Sequence, residues 1–274
     1  MNNPETDKQQ RHSRLEKIEA LGRVNDTLER LRRECPWDRK QTNESLRPNT
    51  IEETFELAEA LLANDSTTIR KELGDVLLHI LFYSLIGEEK GDFDIADVAD
   101  SLNAKLIFRH PHVFGDVSVG SAHDVEQNWE QIKLREKGGN KTILGGVPSA
   151  LPAMIKADRI QEKAANSGFD WEKPEDVWKK VDEEIAEFRA EAAGGCRERM
   201  EAEMGDVLFS IINASRLYGI NPENALEKTN RKFISRFNHV ERRAAESGRN
   251  LRDMTLAEMD QLWDEAKSME GETK

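Results

Sequence analysis

The sequence predicts an all-α protein built from two tandem copies of one helical unit. Apolar residues recur every three or four positions along most of the chain, as they do on one face of a helix. No stretch shows the period-two alternation or the turn pairs of a β-hairpin. A set of acidic residues in the first half recurs 131 residues later, in the second half. Each half is therefore expected to be one copy of the unit.

The first half begins with two predicted helices. The first ends before Cys35, because Pro36 disfavours the helical conformation at the residue before it, and its apolar face carries Leu15, Ile18, Leu21, Val24, Leu28 and Leu31. Thr50 and Glu53 form a capping box that is expected to open the second helix. That helix should end at Asn64, and its inward-facing residues should be Ile51, Phe55, Ala58 and Leu62.

Further helices are predicted from the same periodicity. A third should run from about Thr68 to Glu88 and stop at Gly91, and a fourth should start near Ile95 and end at His110. Another is expected over residues 125–136. In the second half, Asn221 followed by Pro222 predicts a helix start, and this helix should face inward with Ala225, Thr229, Phe233, Phe237 and Val240.

The repeat defines the domain organisation. Adding 131 to the first acidic set, Glu53, Glu56, Glu72 and Asp75, gives Glu184, Glu187, Glu203 and Asp206. A shift of 127 relates Lys105 and Arg109 to Lys232 and Arg236, and a shift of 134 relates Trp129 to Trp263. We expect domains at residues 1–137 and 153–274, joined by a glycine-containing linker at residues 138–152.

Composition excludes several classes of protein. The 274-residue chain has a formal net charge of −13, which argues against a protein that coats nucleic acid or an anionic membrane. The residues from Asn2 to His12 are polar, and no apolar run is long enough to span a bilayer. Two cysteines in dissimilar contexts suggest no disulfide framework or zinc site. The sequence thus predicts a cytoplasmic protein.

The repeated carboxylates are candidate metal ligands. In each pair the acids are three residues apart, so they project from one helix face. Such a pair alone is typical of a solvated surface, but Glu203 and Asp206 adjoin an apolar stripe, where carboxylates are costly unless they are paired or bound to a cation. Oxygen ligands favour Mg²⁺, with Mn²⁺ as a substitute. A di-iron centre would require Glu-x-x-His pairs, and His79 is expected instead at the polar edge of the core.

Basic residues near these acids predict contact with phosphates. Lys228, Lys232 and Arg236 form a stripe along the predicted helix that starts at Asn221. A solvated basic edge would explain the stripe alone, but its partial repeat in the first half favours phosphate binding. Lys180 lies one turn before Glu184 and adds a cation to the metal face. The Trp263 ring is expected either to stack on a nucleobase or to anchor the terminal helix.

These motifs resemble the MazG family of nucleoside triphosphate pyrophosphohydrolases in its two-domain bacterial form. The resemblance covers nearly the whole chain and rests on Cys35-Pro-Trp-Asp38, Arg109-His-Pro-His-Val-Phe114, Gly168-Phe-Asp-Trp171 and the two acidic motifs. It implies helical bundles completed by homodimer formation and Mg²⁺-dependent cleavage of NTPs or dNTPs to nucleoside monophosphate and pyrophosphate. It also implies that the C-terminal copy is catalytic and the N-terminal copy mainly structural.

The resemblance assigns roles to individual residues. It implies that Glu184, Glu187, Glu203 and Asp206 bind Mg²⁺. It also implies that the nucleotide contacts are Lys180, Glu183, Glu184, Glu203, Asp206, Lys232, Arg236 and Trp263. Glu183 or Glu184 is the expected base that orients or deprotonates the attacking water. Lys180 should stabilise the departing pyrophosphate. The matching residues Glu53, Glu56, Glu72, Asp75, Lys105 and Arg109 form the copy expected to be inactive.

The residues themselves also distinguish the two copies. Lys180 corresponds to Asn49, so the first copy lacks this cation, and its predicted helix begins only at Thr50. The second copy's helix should start near Pro174 and present a full turn before the acids. Two rival functions stay open: a pyrophosphohydrolase of narrow specificity, acting on dUTP or phosphoribosyl-ATP, and a helical module that senses nucleotides without hydrolysing them.

Overall fold

The computed structural model describes residues 12–117 and 142–271, with Gly120, Val125 and Ile132 as isolated positions between them. This part of the chain forms ten α-helices and no strand, which confirms the all-α class. None of its helices combines the length and the apolar character needed to cross a bilayer. Apart from Val125 and Ile132, the residues of the helix predicted over 125–136 lie outside the described residues, and so does Trp129.

The chain divides into two compact units, Met1–Val117 and Ser118–Lys274. In the first unit, α1 spans Arg14–Glu34, α2 Asn43–Ala63, α3 Ser66–Lys90, α4 Ile95–Arg109 and α5 Pro111–Phe114. The structure confirms the predicted ends of α1, α3 and α4. Gly91 ends α3 with a φ of 72°, in the left-handed region that a glycine adopts without strain.

The predicted start of α2 is wrong. Thr42 caps this helix through a reciprocal capping box with Ser45, so α2 begins at Asn43 rather than Thr50. Pro48 then lies within the helix, where it costs the one hydrogen bond that its missing N–H would donate. The Thr50 hydroxyl instead lies 3.0 Å from His79 Nδ1 and 2.6 Å from the Tyr83 hydroxyl. Thr50 therefore belongs to a partly buried polar network that also contains His79.

In the second unit, α6 spans Ala153–Asn166, α7 Val177–Gly194, α8 Arg197–Leu217, α9 Pro222–Glu246 and α10 Leu256–Gly271. A 3₁₀ turn at Pro174–Asp176 leads directly into α7, as the sequence predicts. The Asn221 side chain accepts a hydrogen bond from the Asn224 N–H, which confirms Asn221 as the cap of α9.

The repeat is visible in two matching helical hairpins, α2–α3 and α7–α8. Each connection has two residues, and each opens with a left-handed residue: Asn64 with a φ of 55°, and Gly195 with a φ of 72°. These residues are 131 positions apart, like the acidic sets. So short a connection places the two helices of each hairpin side by side and antiparallel.

Each unit has a small core. In the first unit it consists of Leu28, Leu46, Leu81, Phe82 and Ile86, and in the second unit it is built around Val177, Val181 and Ala214. Six residues predicted to face inward are exposed in the single chain, so those predictions are wrong for the isolated chain: Ile51, Phe55, Ala58, Thr229, Phe233 and Phe237. The helices α2 and α9 thus carry more apolar residues than the core of one chain buries.

Candidate metal centre and active site

The α7–α8 hairpin brings three carboxylates together. Glu184 and Glu187 are one turn apart on α7, and Glu203 faces them from α8. One carboxylate oxygen from each residue lies within 4.8 Å of the others. These three acids are called the C-terminal cluster below. Residues 19 positions apart in the sequence thus meet at one site, because the two-residue turn reverses the chain between them.

Lys180 contacts this cluster. Its Nζ lies 2.7 Å from a Glu184 oxygen and 2.9 Å from a Glu183 oxygen. The hydrogen bonds to Glu184 and Glu183 raise the pKa of Lys180 well above its ordinary value. Glu184 is buried and Glu187 is exposed, so the cluster has one desolvated wall and one side open to solvent.

The cluster is rich in negative charge. Desolvation raises the pKa of Glu203, and the neighbouring charges of Glu187, Asp206 and Glu184 raise it further. One lysine offsets only part of the charge of three carboxylates. A divalent cation would satisfy the remaining charge, and the oxygen donors are those preferred by Mg²⁺ and Mn²⁺. The residues present therefore fit the predicted metal.

Asp206 differs from the other predicted ligands. It follows Glu203 by one turn of α8 and is exposed, and it does not belong to the group whose oxygens lie within 4.8 Å. Its charge nevertheless reaches the site, since it contributes to the raised pKa of Glu203. Its role as a metal ligand stays a prediction.

The other predicted nucleotide contacts lie on α9 and α10. The Arg236 guanidinium lies over the Trp263 ring, 5.7 Å from its centroid, and Phe233 packs against the same ring with a centroid distance of 5.0 Å. Lys232 is exposed and forms no ion pair with any residue that the structure describes. The structure therefore brings Arg236 to Trp263, and it gives no contact between Lys232 and the C-terminal cluster.

The first unit contains a second cluster, made of Glu53, Glu56 and Glu72, whose oxygens also lie within 4.8 Å of one another. This is called the N-terminal cluster below. Here Glu72, on α3, is the buried acid, and one of its oxygens has no hydrogen-bond partner among the described residues. Desolvation raises the pKa of Glu53, and the charges of Asp75, Glu56 and Glu72 raise it further.

Lys71 contacts the N-terminal cluster, and it is not among the residues predicted from the sequence. Lys71 Nζ lies 2.9 Å from a Glu72 oxygen and 3.6 Å from an Asp75 oxygen. The first copy thus lacks a cation at Asn49 but has one on the other helix. Because α2 begins at Asn43, it also presents a full turn before Glu53. The late helix start predicted for the first copy does not distinguish it from the second. Lys71 could have been found from its position four residues before Asp75, because residues four apart are neighbours on a helix surface.

The structure places the remaining residues of the first copy on α4. Lys105 is exposed and Arg109 is half-buried at the end of this helix. His79 lies outside the N-terminal cluster, in the core network with Thr50 and Tyr83, where burial lowers its pKa. This agrees with its predicted place at the polar edge of the core.

Comparisons with known proteins match these observations. The family model described as the MazG nucleotide pyrophosphohydrolase domain matches residues 41–114 and 172–241, one range for each cluster. The chain is 46% identical over 234 residues to the nucleoside triphosphate pyrophosphohydrolase/pyrophosphatase MazG of Thermotoga maritima, covering 85% of this chain and 89% of that protein.

Two further relatives extend the comparison. The nucleoside triphosphate pyrophosphohydrolase of Escherichia coli K12 is 39% identical over 260 residues, covering 92% of this chain and 99% of that protein. The uncharacterized protein YabN of Bacillus subtilis is 48% identical over 238 residues, covering 86% of this chain and 49% of that protein. The similarity to the first two relatives thus extends over both units.

Proposed function

The chain belongs to the MazG nucleotide pyrophosphohydrolase family, and on this premise we propose that it hydrolyses nucleoside triphosphates to nucleoside monophosphate and pyrophosphate at the C-terminal cluster. The observation that carries the proposal is the meeting of Glu184, Glu187 and Glu203 beside Lys180. Such a site binds a divalent cation and, through it, the phosphates of a substrate. The names of its relatives support a triphosphate substrate.

Magnesium is the proposed ion, held by Glu184, Glu187 and Glu203 with Asp206 as a further ligand. When bound, it neutralises triphosphate charge and lowers the pKa of a coordinated water. An oxygen-only ligand set and the excess of negative charge around Glu203 support this choice.

Individual side chains have separate proposed roles in the reaction. Glu183 is exposed and bonded to Lys180, and Glu184 is buried beside it. One of these two carboxylates is the proposed base that orients a water molecule and takes its proton. The water oxygen bonds to phosphorus as the anhydride bond between the α and β phosphates breaks, and pyrophosphate leaves. Lys180, Lys232 and Arg236 are the proposed cations that stabilise its charge.

The test is a pyrophosphate-release assay with ATP and Mg²⁺. Glu203→Gln should lose more than about a hundredfold in kcat/KM, since even changes behind the metal ligands cost about 10- to 100-fold. The exposed Glu201 lies on the same helix, so Glu201→Gln is a matched control that should keep the activity. Full activity in Glu203→Gln would refute the proposed site.

The same assay tests the choice of copy. Glu72→Gln changes the equivalent residue of the N-terminal cluster and should leave turnover within about threefold, far below the loss that a metal-ligand change causes. An equal loss in Glu72→Gln and Glu203→Gln would instead assign catalysis to both copies. The two variants carry the same chemical change, so the comparison isolates the location.

We also propose that the active form is a cytoplasmic homodimer. Apolar side chains that one chain leaves exposed support a second copy as their cover, among them Phe55 on α2, Leu208 and Ile211 on α8, and Phe233 and Ile234 on α9. Light scattering coupled to size exclusion should give twice the mass of one 31.2 kDa chain. A monomer that retains full activity would contradict this part of the proposal.

A further inference from the structure

The N-terminal cluster has more negative charge than the lysine beside it neutralises. Glu53 and Glu56 on α2 and Glu72 on α3 place three carboxylate oxygens within 4.8 Å of one another. Lys71 Nζ, 2.9 Å from a Glu72 oxygen, adds one positive charge. Carboxylates at this spacing repel one another. Exposed groups of acids are common without a ligand, so the burial of the members decides whether an ion binds.

Glu72 is buried, and only one of its two oxygens is paired. The residue is 3% exposed, and its Oε1 accepts a hydrogen bond from Lys71. Its Oε2 is shielded from solvent and has no hydrogen-bond partner among the residues that the structure describes. A carboxylate oxygen that has neither water nor a donor is costly unless a cation binds it. Glu72 Oε2 therefore indicates a bound cation rather than a solvated helix face.

A cavity of about 410 Å³ adjoins the cluster. Glu56 and Glu72 line it from the two helices, and Asp65 and Thr68 line it where α3 begins. Mg²⁺ and similar ions keep several water molecules when carboxylates bind them. The cavity thus has room for a divalent cation and its waters beside the buried acid.

The two copies differ in the residue that precedes the acids of the second helix. Lys71 Nζ contacts Glu72 and also lies 3.6 Å from an Asp75 oxygen, so it bridges both acids of α3. The residue 131 positions later is Ala202, which carries no charge. Lys180 of the second copy lies on α7 instead and contacts acids of that helix. The first copy therefore has a lysine on the acids of its second helix, at a position where the second copy has an alanine.

Lys71 and a divalent cation would compete for the same carboxylates. The Lys71 side chain is 65% exposed, and an ion pair at such a site is weak. A divalent ion carries twice the charge of the lysine and draws ligands from both helices, so it displaces the lysine once its concentration is high enough. At low concentration the tethered lysine keeps Glu72 and Asp75. The occupancy of the site should then follow the concentration of the free ion.

We infer that the N-terminal cluster is a divalent-cation site in its own right, in which Lys71 competes with the ion and sets the concentration at which the site fills. The ion bound to Glu53, Glu56 and Glu72 joins α2 to α3 and stabilises the first unit. Its donors are all carboxylate oxygens, so the site takes hard divalent cations such as Mg²⁺ and Mn²⁺. This role concerns the stability of the first unit and does not require hydrolysis at either cluster.

The experiment measures Mn²⁺ binding to the full-length chain by isothermal titration calorimetry, without nucleotide. Every protein in the series carries Glu203→Gln, which removes a ligand from the C-terminal cluster and so weakens it as a second site for the ion. This single variant is the parent to which the others are compared. Each titration is repeated with Mg²⁺, so that the two ions are ranked at the same site.

The ligand variants test the site itself. The parent should bind Mn²⁺ at the N-terminal cluster, and adding Glu72→Gln should weaken the Kd more than about tenfold, because it removes a ligand. Glu56→Gln changes an exposed ligand and should weaken binding in the same direction, which covers the case that Glu72→Gln does not fold. The exposed Glu52 lies on α2 outside the cluster, so Glu52→Gln is the matched control and should keep the Kd within about twofold. Equal binding in the parent and in both ligand variants would refute the site.

The lysine variants test the competition. Lys71→Ala, which copies Ala202 of the second unit, should tighten the Kd for Mn²⁺ about three- to tenfold, because it removes the competing charge. The exposed Lys90 lies about 28 Å further along the axis of α3. Lys90→Ala removes the same charge at that distance, so it should leave the Kd within about twofold. An unchanged Kd in Lys71→Ala would overturn the competition.

A thermal measurement tests the stabilising role. Mn²⁺ at about a hundredfold above its Kd should raise the Tm of the parent by at least about 5 °C, because the ion binds the folded chain. The rise should be absent when Glu72→Gln is added. A parent that binds the ion without any rise in Tm would refute the link between α2 and α3. No triphosphate is present, so these results are separate from the outcome of the hydrolysis assay.

Discussion

Replacing either of two equivalent glycines by alanine should stabilise the protein. Gly74 lies inside α3 and Gly205 inside α8, each between two acids of its cluster. A Cβ built at either position meets no atom within 4 Å. Close packing within the described chain is therefore not the reason for these glycines. Glycine inside a helix is about 1 kcal/mol less favourable than alanine.

The expected gain for Gly205→Ala or Gly74→Ala is therefore about 1 kcal/mol, which corresponds to a rise in Tm of about 3–6 °C for units of this size. Differential scanning calorimetry at fixed protein concentration measures it, and the paired variants control for each other. A lower Tm in both variants would refute the reasoning. A lower Tm in Gly205→Ala alone would mean that a second copy of the chain packs against α8 at this residue.

Three further predictions concern charge and packing. Lys180→Met should lower kcat/KM more than about tenfold, because it removes a charge-assisted hydrogen bond beside the proposed metal ligands. Lys71→Met should leave kcat/KM unchanged. Steady-state kinetics of both variants tests this prediction. Phe82→Ala should lower the free energy of unfolding, measured with urea, by about 3–5 kcal/mol, because it leaves a cavity at a buried core position. A decrease below about 1 kcal/mol would contradict that packing. The hydrogen bond from Arg249, with smaller contributions from Thr255, lowers the pKa of Glu258 from 4.5 to about 2. This interaction therefore stabilises the fold above pH 4.5, and the stabilisation is lost as the pH falls towards 2. The difference in Tm between wild type and Glu258→Gln should vanish over that range, and a constant difference would contradict the prediction.

The helices could be predicted from the sequence because their signals are local. Asn221 with Pro222 and Gly91 are start and stop residues whose effect depends only on their neighbours. The start of α2 was missed because two capping boxes compete: Thr50 and Glu53 match the pattern, but Thr42 and Ser45 come first. Burial was harder to predict. Apolar periodicity shows that Phe55 and Phe233 need a cover, but not which molecule supplies it.

The carboxylates could be predicted because each pair repeats at one helical turn in both halves. The contact between α6 and α8 could not, because it joins residues that are far apart in the sequence. Gln161 and Phe209 are 48 positions apart, and nothing beside Gln161 in the sequence shows that its oxygen is buried without a partner.

The two acidic clusters share the same arrangement of charged groups. Each cluster buries one acid, Glu72 on α3 or Glu184 on α7, and in each a lysine on that same helix contacts the buried acid. A buried carboxylate requires such a cation whether or not the site is catalytic. The carboxylates and their lysine therefore do not separate an active copy from an inactive one.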